Sequence, residues 1–391
     1  MPPIRVLVVD DSVVIRRLVT GILSEDPDIE VVGTAINGRA ALQKIETFQP
    51  DLVTMDVEMP EMDGIDAVRA IRANGNRVPV IMFSTLTERG AASTFDALAA
   101  GASDYVPKPA NVGSVSRSME QVRAALIPLI KSLVPRPGSP AVGGVAVRPG
   151  AAARAAQTAA PEQRGAVPGR SPLAASSAPA APAPRERRVP AGEYRMLVIG
   201  SSTGGPEALF TVLKRLPPPP VPVVVVQHMP PVFTAQFAAR LDRNCDFPVA
   251  EARQGMVLAP GTVTIAPGDH HLTVVRAGRD LVAHLNQEPP ENYCRPAVDV
   301  LFRSAATVVG GPVLALVLTG MGQDGLKGAE RIIASGGSVI AQDRATSVVW
   351  GMPGAVTQAG LVEKVLPLPQ VAQELQRRLW PATNEERGGQ A

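Results

Sequence analysis

Two cysteines, Cys245 and Cys294, are all that 391 residues contain, and only 3% of the side chains are aromatic. So few thiols exclude a disulfide framework, and without a CxxC or Cys/His cluster there is no zinc-ligand spacing either. No apolar run reaches the length needed to cross a bilayer, so direct membrane insertion is not expected. The start of the chain lacks the basic segment, apolar stretch and cleavage site of a secretory signal, which gives a cytoplasmic expectation. Charge of one sign is missing too: 38 basic and 36 acidic side chains leave a net +2. That balance gives no electrostatic footprint for nucleic acid, and a monomer without a nucleic-acid partner is expected.

What is present falls into parts by composition. Over 1–130, short apolar runs at Val6–Val9, Val31-Val32, Leu52–Met55, Val78–Phe83 and Tyr105-Val106 alternate with helix-like stretches. This predicts a flavodoxin-like (βα)5 parallel sheet. Residues 131–193 contain no aromatic and no Ile and are rich in Ala, Pro and Arg, the composition of a disordered linker. If flexible, some 60 residues reach an r.m.s. span of roughly 40 Å. From 194 to 381 the pattern returns, with Met196–Ile199, Val223–Val226, Val263–Ile265, Leu314–Leu318 and Val339-Ile340 predicting a second, doubly wound α/β domain. Residues 382–391 are expected to be a flexible tail.

In an open parallel sheet, ligands sit beyond the carboxyl ends of the strands. In the first domain those ends carry Asp10-Asp11, Asp56, Ser84 and Lys108-Pro109. Clustered carboxylates repel unless a hard cation joins them, and Mg²⁺ takes oxygen ligands while leaving room for phosphate. Asp56 is then the candidate nucleophile toward a phosphoryl donor, with Lys108 and Ser84 placed to meet the incoming charge. Taken alone, Asp10 or Asp11 reads more simply as a helix N-cap. The motifs Asp10-Asp11-Ser12, Met55–Gly64, Ser84 and Tyr105–Pro109 closely resemble response-regulator receiver domains over about 1–128. The resemblance implies phosphorylation of Asp56 by a histidine kinase. It also implies Mg²⁺ held by Asp11, Asp56 and the Glu58 backbone carbonyl, with Asp10 acting from the second shell or through water, and a rotamer change at Tyr105.

The same edge in the second domain carries Ser202, His228 and Asp324. A serine is a weak nucleophile until a base takes its proton, and a carboxylate orients that base. The order Ser, His, Asp excludes the α/β-hydrolase family but not the mechanism. Gly204-Gly205-Pro206 and Gly320-Met321-Gly322 offer backbone N–H groups to a developing oxyanion. The first turn is also compatible with tight strand–helix packing or a phosphate cradle, although it lacks the Gly-x-x-x-x-Gly-Lys pattern of nucleotide hydrolases. His270-His271 read as a solvated turn, His284 stays unassigned, and Cys294, with Arg295 as its evident neighbour, reads as an inert or partly buried thiol.

Gly200–Pro206, Gln227-His228-Met229-Pro230, Gly320–Gly325 and Trp350–Gly354 resemble the chemotaxis protein-glutamate methylesterase/protein-glutamine glutaminase family over about 194–380. The resemblance implies a serine hydrolase with Ser202 as nucleophile, His228 as base and Asp324 as its partner, with Thr203 and Met321 near the oxyanion and substrate site. It implies phosphorylation-activated hydrolysis of glutamyl methyl esters on the cytoplasmic helices of methylated chemoreceptors, releasing methanol, together with deamidation of receptor glutamines. No cofactor is implied in the catalytic domain. The chain departs from the family at Ser201, where Ala is often found, leaving open which serine reacts, and at Cys294-Arg295-Pro296, where His-Arg-Pro is common. Two rival outputs stand beside this one: a second domain that only binds a partner, and a DNA-binding domain. The latter is disfavoured by the lack of a helix-turn-helix pattern or basic face.

Overall fold

The computed structural model describes residues 2–108, 115–134 and 189–380, with side chains in the second segment from 119 onward. The tail at 382–391 and nearly all of the expected linker, residues 135–188, lie outside the described residues.

The first domain follows the predicted alternation: β1 (Ile4–Val9), α1 (Val13–Ser24), β2 (Ile29–Ala35), α2 (Gly38–Phe48), β3 (Leu52–Asp56), α3 (Gly64–Ala73), β4 (Val80–Ser84), α4 (Glu88–Ala99), β5 (Asp104–Pro107) and α5 (Val115–Leu133). The strands form one parallel sheet in the order β2-β1-β3-β4-β5. Helices on both faces explain why β3 and β4 are buried at every residue and read as unbroken apolar runs rather than alternating ones. Ser12, not Asp10 or Asp11, caps α1, its hydroxyl accepting from the Ile15 amide. Neither aspartate is spent on the cap.

The second domain comprises β6 (Met196–Ser201), α6 (Gly205–Leu213), β7 (Val223–Gln227), α7 (Pro231–Asp242), β8 (Val249–Glu251), β9 (Val263–Ile265), β10 (His271–Ala277), β11 (Asp280–Asn286), α8 (Val298–Val308), β12 (Val313–Val317), α9 (Leu326–Ala334), β13 (Ser338–Gln342), α10 (Met352–Gln358), β14 (Lys364–Leu366) and α11 (Leu368–Leu379). Its parallel sheet runs β14-β13-β12-β6-β7-β9-β8. β6 is central, and the order reverses beside it, so the loops after β6, β7 and β12 open on one crevice. An antiparallel hairpin, β10-β11, stands apart and packs on α8.

Residues 189–193, grouped by composition with the linker, are tied to this domain at two points: Val189 is buried and the Gly192 amide donates to the Arg378 carbonyl. Beneath them Arg378 is fully buried, donating to Glu363 at 2.6 Å and Glu374 at 2.8 Å, while Ser338 donates to the other Glu363 oxygen. Removing one partner of a buried ion pair leaves the other charge uncompensated, so Arg378→Met should cost about 3–5 kcal/mol. Trp350 and Trp380, the only two tryptophans, both lie in this domain, so their fluorescence in a urea titration of the intact chain checks this value directly.

Candidate active site and phosphoryl-acceptor site

The receiver edge assembles as the sequence predicts. Asp10, Asp11 and Asp56 each bring a carboxylate oxygen within 4.8 Å of the others. Lys108 Nζ lies 2.7 Å from Asp56 and 3.0 Å from Asp10. Burial raises the Asp56 carboxyl to about 6, with Asp10 pushing the same way and Lys108 opposing. Asp11, Asp56, Glu58, Ser84 and Lys108 line a cavity of about 290 Å³. Three hard oxygen donors around one opening suit a Mg²⁺ ion, and the open side leaves room for a phosphoryl group. Ser84 Oγ donates to the Gly90 carbonyl at 2.9 Å, tying the end of β4 to the first turn of α4.

In the second domain the strand-to-helix turn separates the two adjacent serines. Ser201 is fully buried, its hydroxyl donating to Gln227 Oε1 at 2.7 Å, while Gln227 Nε2 donates to the Ser202 carbonyl at 2.9 Å. Gln227 thereby clamps the turn, and Ser202 faces the cleft. Two glycines permit this geometry. A Cβ on Gly205 would lie 2.0 Å from Gln227 Oε1, and one on Gly320 would lie 2.9 Å from Ser202 Cβ. The Gly320 carbonyl accepts from the Gly351 and Met352 amides, which joins the Trp350–Gly354 motif to the same loop.

His228, after β7, meets Asp324 with its Nε2 at 2.9 Å from Oδ2. The same Oδ2 accepts from the Val298 amide at 2.6 Å, and Oδ1 accepts from Asp299 N, Gly325 N and Asn292 Nδ2 at 2.9, 3.0 and 2.8 Å. Val298 and Asp299 begin α8, which has no side-chain cap of its own, so Asp324 neutralises the helix N-terminus from another loop. Burial opposes ionisation of Asp324, yet His228 and these amides hold its pKa below the ordinary value. Asp299 is itself buried and accepts from Gly328 N and Asn292 Nδ2.

Ser202, Thr203 and His228 line a cleft of about 170 Å³ together with Gln227 and Pro230. Among the described residues neither the Thr203 nor the Met321 amide donates a hydrogen bond, although Met321 is not part of the cleft lining. Asp104, Tyr105 and Pro107 of the receiver form the rest of the wall. The receiver therefore sits over the candidate nucleophile, with Asp104 facing the cleft beside Thr203. Behind this contact Tyr105 stacks on Phe233 with ring centroids 4.5 Å apart, and Phe95 meets Phe237 at 5.5 Å. Arg240 donates to the Phe95 carbonyl at 2.8 Å and pairs with Glu207.

Two sequence readings change. His271 is not in a solvated turn: it opens β10, is buried, and uses both ring nitrogens, one with the Pro289 carbonyl and one with the Ala297 amide. His270 only contacts the Gly268 carbonyl. Arg295 is turned toward Asp269, at 2.6 Å, and the neighbour of Cys294 is instead His228, with Sγ 3.5 Å from Nδ1. Asn292 and Asp299 were not singled out at all. Their only signal is the Asn-Tyr pair of a tight turn, since Asn292 and Tyr293 both take left-handed φ, 52° and 64°.

The CheB methylesterase family matches residues 197–375, and the response regulator receiver domain family matches residues 6–119. A protein-glutamate methylesterase/protein-glutamine glutaminase from a Nocardioides species is 65% identical over 380 residues, covering 97% of this chain and 96% of its own. The chain belongs to that family. A relative of the same name from Trichodesmium erythraeum is 45% identical, covering 97% of this chain and all of its own. The solved CheB methylesterase catalytic domain of Thermotoga maritima is 44% identical over 46% of this chain and 97% of its own, with a TM-score of 0.46. The methylesterase match thus contains the Ser202 cleft, and the receiver match contains the Asp56 site. Among the described residues no helix is long and apolar enough to cross a membrane.

The clamp on the methylesterase turn is directly testable. Gly205→Ala forces Gln227 Oε1 away from a Cβ 2.0 Å distant, and such overpacking costs about 1–3 kcal/mol. A urea titration read by Trp350 and Trp380 should show that loss, and an unchanged midpoint would mean that Gln227 yields freely.

Proposed function

We propose that this chain hydrolyses glutamate methyl esters on the cytoplasmic helices of chemoreceptors, releasing methanol, deamidates receptor glutamines by the same acyl-enzyme route, and does so under control of phosphorylation at Asp56 by a histidine kinase. The observation that carries the reading is the Asp324–His228 hydrogen bond beside Ser202 in one cleft, in a member of this family. Ser202 attacks the ester carbonyl as His228 takes its proton, and Asp324 stabilises the imidazolium. Protonation of the methoxide by His228 then frees methanol, and water repeats the sequence on the acyl-enzyme. In this reading the free amides of Thr203 and Met321 receive the oxyanion.

In the receiver, Asp11, Asp56 and the Glu58 carbonyl would hold Mg²⁺, with Asp10 behind them. Bound there, the ion supplies positive charge against the phosphoryl oxygens. Lys108 pairs with the new charge, and Ser84 leaves Gly90 to donate to it, which releases the start of α4. Because α4 and β5 carry Phe95 and Tyr105 onto the methylesterase domain, the same event loosens the cover over Ser202.

Methanol release from methylated receptor membranes, with and without acetyl phosphate, tests this reading. Wild type should respond to the donor, Asp56→Asn should not, and Ser202→Ala should release nothing. One observation favours a second reading: the thiol of Cys294, not the hydroxyl of Ser202, is the group seen at His228 Nδ1. A thiol nucleophile would leave Ser202→Ala active and Cys294→Ala dead.

The docking contact makes its own prediction. A charge-assisted hydrogen bond contributes about 1.5–3 kcal/mol, so Arg240→Ala, which frees the Phe95 carbonyl, should raise donor-independent methanol release by about tenfold to a hundredfold. An unchanged basal rate would show that this contact does not hold the receiver over the cleft.

A further inference from the structure

His228 has two ring nitrogens and three claimants. Asp324 takes Nε2, and an ionised carboxylate only accepts, so the neutral ring carries its proton there and offers one lone pair, at Nδ1. Cys294 Sγ stands 3.5 Å from that lone pair. Ser202 needs the same lone pair to lose its proton, yet among the described residues its hydroxyl makes no hydrogen bond. The nucleophile is uncoupled while the thiol is coupled.

The position of the thiol is built rather than incidental. Glu291 and Cys294 exchange two backbone hydrogen bonds, at 3.1 and 2.9 Å, across a turn whose central residues Asn292 and Tyr293 are both left-handed. The Asn292 side chain fastens that turn to Asp324 and Asp299. The carboxylate that holds the base therefore also holds the loop presenting the thiol. Tyr293 is fully exposed and Cys294 partly so, which puts the turn that carries the thiol at the solvent boundary.

We infer that Cys294 competes with Ser202 for Nδ1 of His228, and that this pairing makes Cys294 a reactive thiol whose modification by a disulfide or thiosulfonate electrophile shuts off the hydrolase. The inference rests on the proposed role of His228 as the base for Ser202. In the modification step the Sγ proton passes to Nδ1 and the thiolate attacks the sulfenyl sulfur of methyl methanethiosulfonate. A new S–S bond forms, the S–SO₂ bond breaks with its electron pair leaving on methanesulfinate, and His228 returns its proton to water. The added methylthio group then fills the space between Nδ1 and Ser202.

The charge around the ring is consistent with this pairing. Burial disfavours the imidazolium, but Cys294 and then Asp324 outweigh it and raise the pKa of His228. Asp299 and Glu291 lie behind Asp324, Arg303 pairs with Glu291, and Asp104 faces the cleft from the receiver. A base must be neutral to accept a proton, so a raised His228 pKa moves the acidic limb of kcat/KM upward from the ordinary 6.5. Removing the sulfur moves it back down.

The test uses the intact chain and methyl methanethiosulfonate, with Cys245 as internal reference because burial and two nearby aspartates raise that thiol to about 11. Peptide mass mapping should show Cys294 modified at least about tenfold faster than Cys245, slowed about tenfold in His228→Gln and unslowed in Ser202→Ala. Methanol release should fall with modification and return with dithiothreitol. Cys294→Ala should ignore the reagent, release methanol, and show its acidic limb at lower pH. Equal rates at the two thiols, no slowing in His228→Gln, reagent-sensitive Cys294→Ala, or a Cys294→Ala chain with no methanol release would each overturn the inference. The labelling rates need no substrate, so they test the thiol pairing even if the ester assignment fails. A lack of methanol release by unmodified wild type counts against that assignment alone.

Discussion

One carboxylate organises the methylesterase domain. Asp324 is nearly sealed from solvent, and its two oxygens take five donors: His228, two amides at the start of α8, the Gly325 amide and the Asn292 side chain. Each donor comes from a loop or helix end that would otherwise carry an unsatisfied polar group into the interior. The helix start supplies positive potential that keeps the carboxyl ionised despite its burial, and an ionised carboxyl fixes which nitrogen of His228 carries the proton. The tautomer of the base is thus decided by where α8 begins. Neither the cleft beside Ser202 nor the turn bearing Cys294 would have a fixed relation to His228 without that anchor.

Much of this was legible because parallel sheets write themselves plainly. Strands covered on both faces read as unbroken runs of Val, Ile and Leu, and β1, β3, β4, β6, β7 and β12 all announce themselves in this way. The polar residues following those runs fall at one edge of the sheet, so the positions of Asp56, Ser202 and His228 are legible from the sequence. The elements that escaped were short or half-covered. β8 and β14 have three residues each, and the β10-β11 hairpin packs one face on α8, so its sequence mixes Leu and Val with Arg, Asp and His. Its turn signal, Gly278 at the first central position with φ 61°, was there to be read.

The site residues that escaped share a different cause. Asn292 and Asp299 act by reaching across the fold to Asp324, and Cys294 by reaching His228, over separations that no local pattern encodes. His271 was misjudged for the same reason: its partners, Pro289 and Ala297, are distant in sequence, and the local Pro-Gly-Asp context suggested only a solvated turn. Motif reading finds groups that sit where strands end. It does not find those that hold such groups in place.

The two sites are joined by a short path of packed groups. Ser84 ends β4 and binds the first turn of α4, and Phe95 lies on that helix. Tyr105 stands on β5, three residues before Lys108, which reaches Asp56. Phe95 and Tyr105 are the two receiver side chains whose rings meet Phe233 and Phe237 of α7. A contact made of stacked rings is sensitive to small rotations, because dispersion falls off within an ångström of the optimum. In the proposed mechanism a phosphoryl group therefore need not push the receiver away. Drawing Ser84 to the phosphoryl oxygens and turning Lys108 from the Asp56 carboxylate onto them shifts α4 and β5 by a fraction of that distance, which weakens the ring contacts and the approach of Asp104 to the rim of the cleft together. The equilibrium between covered and open Ser202 then moves without any new contact having to form between the two domains.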